Sequence, residues 1–276
     1  MNGAVRARLG PARWHFQHGP IDLVIGAEGD ADAVRAALEA AWSRFQTVLP
    51  ELVSELSCLR EPVGDRCALR GPIARRMWQA CAHFSPAFIT PMAAVAGSVA
   101  QEIVGCFARD GVHRAWVNNG GDIALHLAPG ERVTLAVCAD PRRLPDAQAD
   151  RLVIEADSAV RGVATSGWRG RSFSLGIADA VTVLAGEAAL ADAAATLIAN
   201  QVDGDDPAIE RRPACEIKDD SDLGRLPVTV RVGPLPLTLI EAALARGARF
   251  AQALVQRDLI VQAMLSLQGR SRIVVS

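Results

Sequence analysis

The sequence has no tyrosine, and Lys218 is its one lysine against 28 arginines in 276 residues. That skew follows genome base composition and carries no functional reading. A formal net charge of -2 leaves no basic footprint of the kind a nucleic-acid-binding chain carries. No window reaches the roughly 18 apolar residues of a membrane span. The first ten residues carry arginines with no long apolar segment behind them, so neither a secretory nor a lipoprotein signal is expected. Six cysteines occur, Cys58, Cys67, Cys81, Cys106, Cys138 and Cys215. They form no CxxC pair and stand at no zinc-type spacing with histidine. Several lie in apolar runs, where a free thiol behaves as a small hydrophobe. A reduced compartment, by default the cytoplasm, is the expectation. The five histidines, His15, His18, His83, His113 and His126, are scattered, which argues against a zinc site. A Gly-x-Ser-x-Gly elbow is missing, so a hydrolase triad has no anchor. Neither a Walker nor a Rossmann glycine loop follows a strand.

What is present is a half-hydrophobic chain with 23 glycines and 15 prolines, enough for a packed core. Residues Ile21 to Gly26 read as a buried strand after the turn Gly19-Pro20. Asp30 or Asp32 suits the cap of a following helix, in which Ala36, Leu38, Ala41, Phe45 and Val48 recur at helical spacing and Pro50 marks a kink or restart. A polar connection covers Pro62 to Arg70, and Ile73 to Ala82 predicts a second helix with Arg75 and Arg76 on its wet side. Pro91 to Ala108 predicts a buried helix with proline in its first turn. Ala115 to Val117, Ile123 to Leu127, Val133 to Cys138, Leu152 to Ile154, Ala159 to Ala164, Ser172 to Leu175 and Ala180 to Leu184 are strand candidates. Ala188 to Ala199 is an alanine-rich helix, and Asp203 to Asp222 a charged surface excursion. Val228 to Val232 predicts a strand, Leu237 to Leu254 a helix, and Ile273 to Val275 a terminal strand. With no βαβ repeat and no biased linker, the pattern implies one α+β domain over residues 1–276, a mostly antiparallel sheet packed with long helices.

Three motifs carry chemistry. Asp192 and Thr196, four apart on a predicted helix, share one face and offer two oxygen donors that Mg²⁺ accepts when phosphate oxygens and water complete its shell. The plain alternative is an aspartate favouring the helix dipole and a threonine packed by its methyl, and the pair alone favours that alternative. Asn118-Asn119-Gly120-Gly121-Asp122 reads first as a hairpin turn. As a binding loop, its glycine amides would approach a ligand closely while Asn and Asp read sugar or base edges. Thr165-Ser166-Gly167 is either a turn with local side-chain bonds or a cradle for phosphate oxygens, with Arg171 as the countercharge.

Read together, these segments resemble a prokaryotic family in the superfamily of the ApbE flavin transferases. The resemblance runs over nearly the whole chain, through His18 to Asp22, Thr90 to Gly97, Val117 to Ala124, Ala178 to Val183 and Ser221 to Gly224. The likeness to the transferases proper rests on Asn118 to Ile123, Thr165 to Gly167 and Ala191 through Thr196. It implies a T-fold-like ApbE domain. It also implies Mg²⁺ held by Asp192 and Thr196, and transfer of FMN from FAD onto a Thr or Ser of an acceptor protein. Asn118, Asn119, Gly120, Gly121, Asp122, Thr165, Ser166, Gly167 and Arg171 would line the ligand site. The transferases' Lys-Gly pair is here Ala96-Gly97, Gln101 stands where they have aspartate, and Arg171 stands near the place of their histidine. A non-catalytic flavin, pterin or nucleotide binder, and a cofactor-biosynthesis enzyme with another substrate, therefore remain open beside the transferase. The composition permits a homodimer without requiring one.

Overall fold

The computed structural model describes residues 3–137 and 150–275, and Cys138 lies outside them. In chain order the elements are β1 (Val5–Gly10), β2 (Arg13–His18), β3 (Ile21–Gly29), α1 (Ala31–Ser54), α2 (Leu56–Leu59), α3 (Pro72–Ala82), α4 (Val95–Val104), β4 (Val112–Asn119), β5 (Asp122–Leu127), β6 (Arg132–Val137), β7 (Asp150–Glu155), β8 (Gly162–Ser166), β9 (Ala180–Ala185), α5 (Ala188–Gln201), β10 (Ile209–Pro213), β11 (Pro227–Val232), α6 (Leu237–Gln256), β12 (Gln262–Leu267) and β13 (Arg270–Val275). The fold is α+β, with antiparallel sheet against long helices. The chain divides into two compact units. No helix among the described residues is long and apolar enough to cross a membrane.

The first unit takes residues through Leu135 together with Val153–Ala164 and Gly186–Asp192. Strands β1 to β5 form an antiparallel meander, and the start of β8 joins β5 through the pairs Ile123↔Val163 and Ala124↔Gly162. Phe16, Leu23 and Ile25 on one sheet face are fully buried, as are Ala37, Ala41, Phe45 and Val48 on α1. Phe16 packs on Trp42 and Phe45 at 5.1 and 5.5 Å between ring centroids. Pro50 lies inside α1 without ending it, and Asp30 holds the cap position without a side-chain cap bond. The stretch expected as one helix from Pro91 is a 3₁₀ turn over Pro91–Ala94 followed by α4 and a second 3₁₀ turn over Gly105–Phe107.

Arg76, expected on the wet face of α3, turns inward instead. Its Nη1 donates to Glu102 Oε2 at 2.9 Å and to the Ser98 carbonyl at 3.3 Å. Arg44 Nε donates to the other Glu102 oxygen at 2.7 Å, and its two Nη groups each donate to Glu51 at 2.8 Å. Burial would raise the Glu102 carboxyl, but hydrogen bonds from Arg44 and Arg76 outweigh it and hold it below the usual range. A depressed acid binds its proton less tightly folded than unfolded. Its contribution is present above the ordinary glutamate value and fades as pH falls through the folded one. Glu102→Gln should therefore cost on the order of 2 kcal/mol at pH 7, since the side chain is 16% exposed and two guanidiniums lose their partner. The gap in urea midpoint from wild type should close as pH falls toward the acid range.

The second unit takes Thr165–Ala185 and the described chain from Ala193 onward, together with residues 136–137 and 150–152. Strands β9, β12 and β13 are antiparallel neighbours, and β10 pairs with β11. Helix α6 buries Ile240, Ala243, Leu244, Ala251 and Leu254. Ser172–Leu175 forms no strand, contrary to expectation. Its polar groups are taken by distant segments: the Leu175 amide donates to Asn200 Oδ1 at 2.9 Å, and the Ser174 carbonyl accepts from the Thr229 amide. The excursion from Asp203 to Asp222 contains β10, so it is only partly irregular.

Candidate functional site

In the first unit the β4–β5 hairpin turns on two residues, Gly120 and Gly121, with φ of 68° and 120°. Glycine adopts these left-handed values at no steric cost. Asn118 Oδ1 accepts the Gly121 amide at 2.8 Å and so locks its own turn. Asn119, 5% exposed, donates Nδ2 to the Ala96 carbonyl at 3.2 Å. Both asparagines, expected as readers of a ligand's edges, hold scaffold with these atoms.

Asp192 stands in the opening turns of α5. Its Oδ2 accepts the Gly97 amide at 2.9 Å, and the Ala96 amide also bonds the carboxylate. These are first-turn amides of α4, which have no partner inside their own helix. The carboxylate therefore sits at the positive end of another helix. Even so, burial first, and the charge of Asp122 second, push its carboxyl well above the usual aspartate range; the two amides pull the other way. The Asp192 charge in turn adds to burial in raising the buried Cys81 thiol.

Glycine makes this approach feasible. A Cβ on Gly97 would fall 2.2 Å from the Ala188 carbonyl oxygen and 3.0 Å from Asp192 Cβ. Gln101 accepts the Ala189 amide through Oε1 at 3.2 Å and donates Nε2 to Glu187 at 3.1 Å. It serves the start of α5 as a neutral cap.

The donor chemistry suits a hard cation. Asp192 and Asp122 offer carboxylate oxygens that repel each other, and a divalent ion relieves that repulsion. No group of three His, Cys, Asp or Glu side chains placed to hold a metal occurs among the described residues. An ion here would need ligand oxygens and water to complete its shell, which is the habit of Mg²⁺ rather than of zinc.

In the second unit Thr165 is exposed, and its Oγ1 lies 2.9 Å from Thr182 Oγ1. Ser166 is half-buried and ends β8. A Cβ on Gly167 would fall 2.6 Å from the Asp179 carbonyl, so only glycine lets the chain pass. The next residues make a tight turn, with the Gly170 amide donating to the Gly167 carbonyl at 3.1 Å and the Trp168 amide to Ala178 at 3.0 Å. Asp179 fastens it. Its Oδ1 accepts from Arg169 Nε at 2.5 Å and Trp168 Nε1 at 3.3 Å, and its Oδ2 accepts the Gln268 amide at 2.5 Å. Arg171 is exposed. Thr196, half-buried on α5, also belongs to this unit.

The residues expected at the site thus fall into two groups. Asn118 to Asp122 and Asp192 are in the first unit, with Thr165 to Gly167, Arg171 and Thr196 in the second. Sequence reasoning missed the company of Asp122 and Asp192, distant in sequence, and the knot of Trp168, Arg169 and Asp179. Only Asp179 lay in a motif that drew attention.

Comparison with known proteins gives the class. The family described as AbpE bacteria matches residues 5–273, and the chain belongs to this ApbE-like family. The UPF0280 protein of Methanopyrus kandleri is 37% identical over 161 residues, 58% of this chain and 62% of that protein. That of Methanosphaerula palustris is 42% identical over 134 residues, 48% and 54% of the two chains. The one from Methanosarcina acetivorans is 32% identical over 196 residues, 70% and 73%. The chain therefore spans less than two thirds of the length of the first two relatives. Among solved structures, a variant of the flavin transferase ApbE from Vibrio cholerae aligns with a TM-score of 0.48 at 12% identity, covering 99% of this chain and 97% of that one. The apo flavinyl transferase ApbE from Pseudomonas stutzeri gives 0.46 at 11%, covering 99% and 94%.

Proposed function

We propose that the protein binds a phosphate-bearing, flavin-nucleotide-like ligand together with Mg²⁺, and that its reaction is transfer of FMN from FAD or a related diphosphate cleavage. The observation that carries this reading is Asp192. It accepts the Gly97 amide at the start of another helix, while burial and the charge of Asp122 disfavour its ionised form, so a bound cation would favour that form. Family membership and the motifs of the sequence point the same way. Mg²⁺ would supply neutralisation of the diphosphate charge. Asp192 and Asp122 would hold it in the first unit, and Thr196, a helical turn beyond Asp192 on α5, is the companion donor that the resemblance assigns. In the second unit Thr165, Ser166 and Arg171 would take phosphate through hydroxyls and a guanidinium. In the transfer, the acceptor hydroxyl oxygen bonds to the FMN phosphorus, the diphosphate P–O bond breaks, AMP leaves with the bridging oxygen, and the hydroxyl proton passes to solvent.

A second reading is binding without turnover. Ala96 and Gln101 favour it, because neither is charged and Gln101 is engaged in capping α5. One experiment separates the two. Incubation with FAD, Mg²⁺ and candidate Ser- or Thr-bearing acceptors is followed by chromatography for AMP and by in-gel flavin fluorescence. AMP release that requires Mg²⁺ supports the reaction. Intact FAD retained by the protein supports binding alone. A protein that neither retains nor cleaves FAD refutes both.

A further inference from the structure

We propose that Trp168 is a ring-stacking residue of the ligand site, taking the planar ring of a flavin nucleotide on its open surface while Arg171 takes the phosphate. The inference rests on the ligand reading above and adds to it the residue that recognises the ring.

Trp168 and Arg169 are the two central residues of the tight turn from Gly167 to Gly170. An indole at such a position would ordinarily be mobile and wet. This one is fixed at several points. Its Nε1 donates to Asp179 Oδ1 at 3.3 Å, its backbone amide donates to the Ala178 carbonyl, and the Arg169 guanidinium lies 4.6 Å from the ring centroid. Arg169 cannot drift away, because its Nε is bound to the same Asp179 oxygen at 2.5 Å, in a pair whose side chains are 21% and 12% exposed. Asp179 itself is held by the Gln268 amide, and the Gln268 side chain donates to the Gly233 carbonyl at 2.7 Å. The result is a half-buried indole whose polar atom is satisfied and whose orientation is set from outside the turn.

A tryptophan used only as packing would be driven into the apolar core. This one stays half-buried at a turn while its surroundings supply orientation, which is the arrangement a stacking platform requires. Stacking is tolerant of ring chemistry, so it suits flavin and adenine alike. The neighbours complete the logic. Thr165 and Arg171, on either side in sequence, are both exposed, and Arg171 makes no ion pair among the described residues. A ring on Trp168 with its phosphate toward Arg171 would use both.

The test is equilibrium binding of FMN and riboflavin, followed by flavin fluorescence, which stacking on indole quenches. Wild type should quench both. Trp168→Leu should weaken both by about ten-fold or more and abolish the quench. Arg171→Ala should weaken FMN while sparing riboflavin. Circular dichroism checks that each variant is folded. Should Trp168→Leu fail to fold, wild-type protein labelled with 5-fluorotryptophan decides: the Trp168 ¹⁹F resonance, assigned through Trp168→Phe, must shift as FMN saturates. A folded Trp168→Leu with wild-type affinity and quench, or a stationary resonance at saturation, overturns the stacking role while leaving the ligand reading intact. A wild type that binds neither FMN, riboflavin nor FAD overturns both.

Discussion

Asp192→Asn will abolish the Mg²⁺ response of the protein while leaving it folded, and Asp192→Ala will do the same at an added cost in stability. The two substitutions divide the two jobs of one side chain. Asparagine keeps an oxygen that can accept the Gly97 amide at the present 2.9 Å, so the start of α4 stays capped. It also removes the charge that stands against Asp122, so the metal-free variant should be at least as stable as wild type. Alanine leaves the Ala96 and Gly97 amides without their acceptor, and loss of a cap of this kind costs about 1–2 kcal/mol. For the wild type, Mg²⁺ at a hundred times its dissociation constant should stabilise by about 2.7 kcal/mol. At roughly 2–4 °C per kcal/mol for a chain of this size, that is about 5–11 °C in Tm. Calorimetry with EDTA and then with Mg²⁺ gives the answer directly. If Asp192→Asn gains as much from Mg²⁺ as wild type does, the carboxylate is a helix cap and nothing more.

Elements with a buried face were legible in the sequence. Ile21 onward, α1, α3, α6 and the Gly120-Gly121 hairpin all announced themselves through apolar periodicity or turn chemistry. Strand β1 did not, because all but its last residue are exposed, and Val5 and Leu9 point their apolar groups to solvent at 54% and 58% exposure. A strand stabilised by one neighbour and by an Arg6–Glu39 pair at 2.7 Å leaves little trace in hydropathy. Strand β12 did carry a period of two in buried Ala263, Leu265 and Leu267, a signal that went unread. At the proposed site, a helix start and a resemblance both mark Asp192 in the sequence. Its partners were invisible, since the meeting of Asp192 with Asp122 and with the amides of α4 is a tertiary event no local pattern encodes. Trp168 was overlooked for a related reason: its importance lies in what Asp179 and Arg169 do to it.

Gly97→Ala should be severely damaging to the first unit. The new Cβ would fall 2.2 Å from the Ala188 carbonyl oxygen and 2.7 Å from its carbon, both backbone atoms at the start of α5 that cannot rotate aside. Relief requires α4 and α5 to separate, and overpacking against backbone costs about 3 kcal/mol. The expected fall in Tm is about 6–12 °C. Gly162→Ala makes a control of similar severity, with its Cβ 2.3 Å from Ala188 Cα and 2.4 Å from the Ala188 nitrogen. Both variants press on the same residue, yet only Gly97 supplies an amide to Asp192. Gly97→Ala should therefore lose stability and most of the Mg²⁺ response together, because parting the helices stretches the bond that holds the carboxylate. Gly162→Ala should be destabilised by a similar amount but still gain from Mg²⁺. Equal Mg²⁺ gains in the two variants would show that the ion does not depend on the Gly97–Asp192 contact, and a Gly97→Ala protein melting with wild type would show that the two helices tolerate being pushed apart.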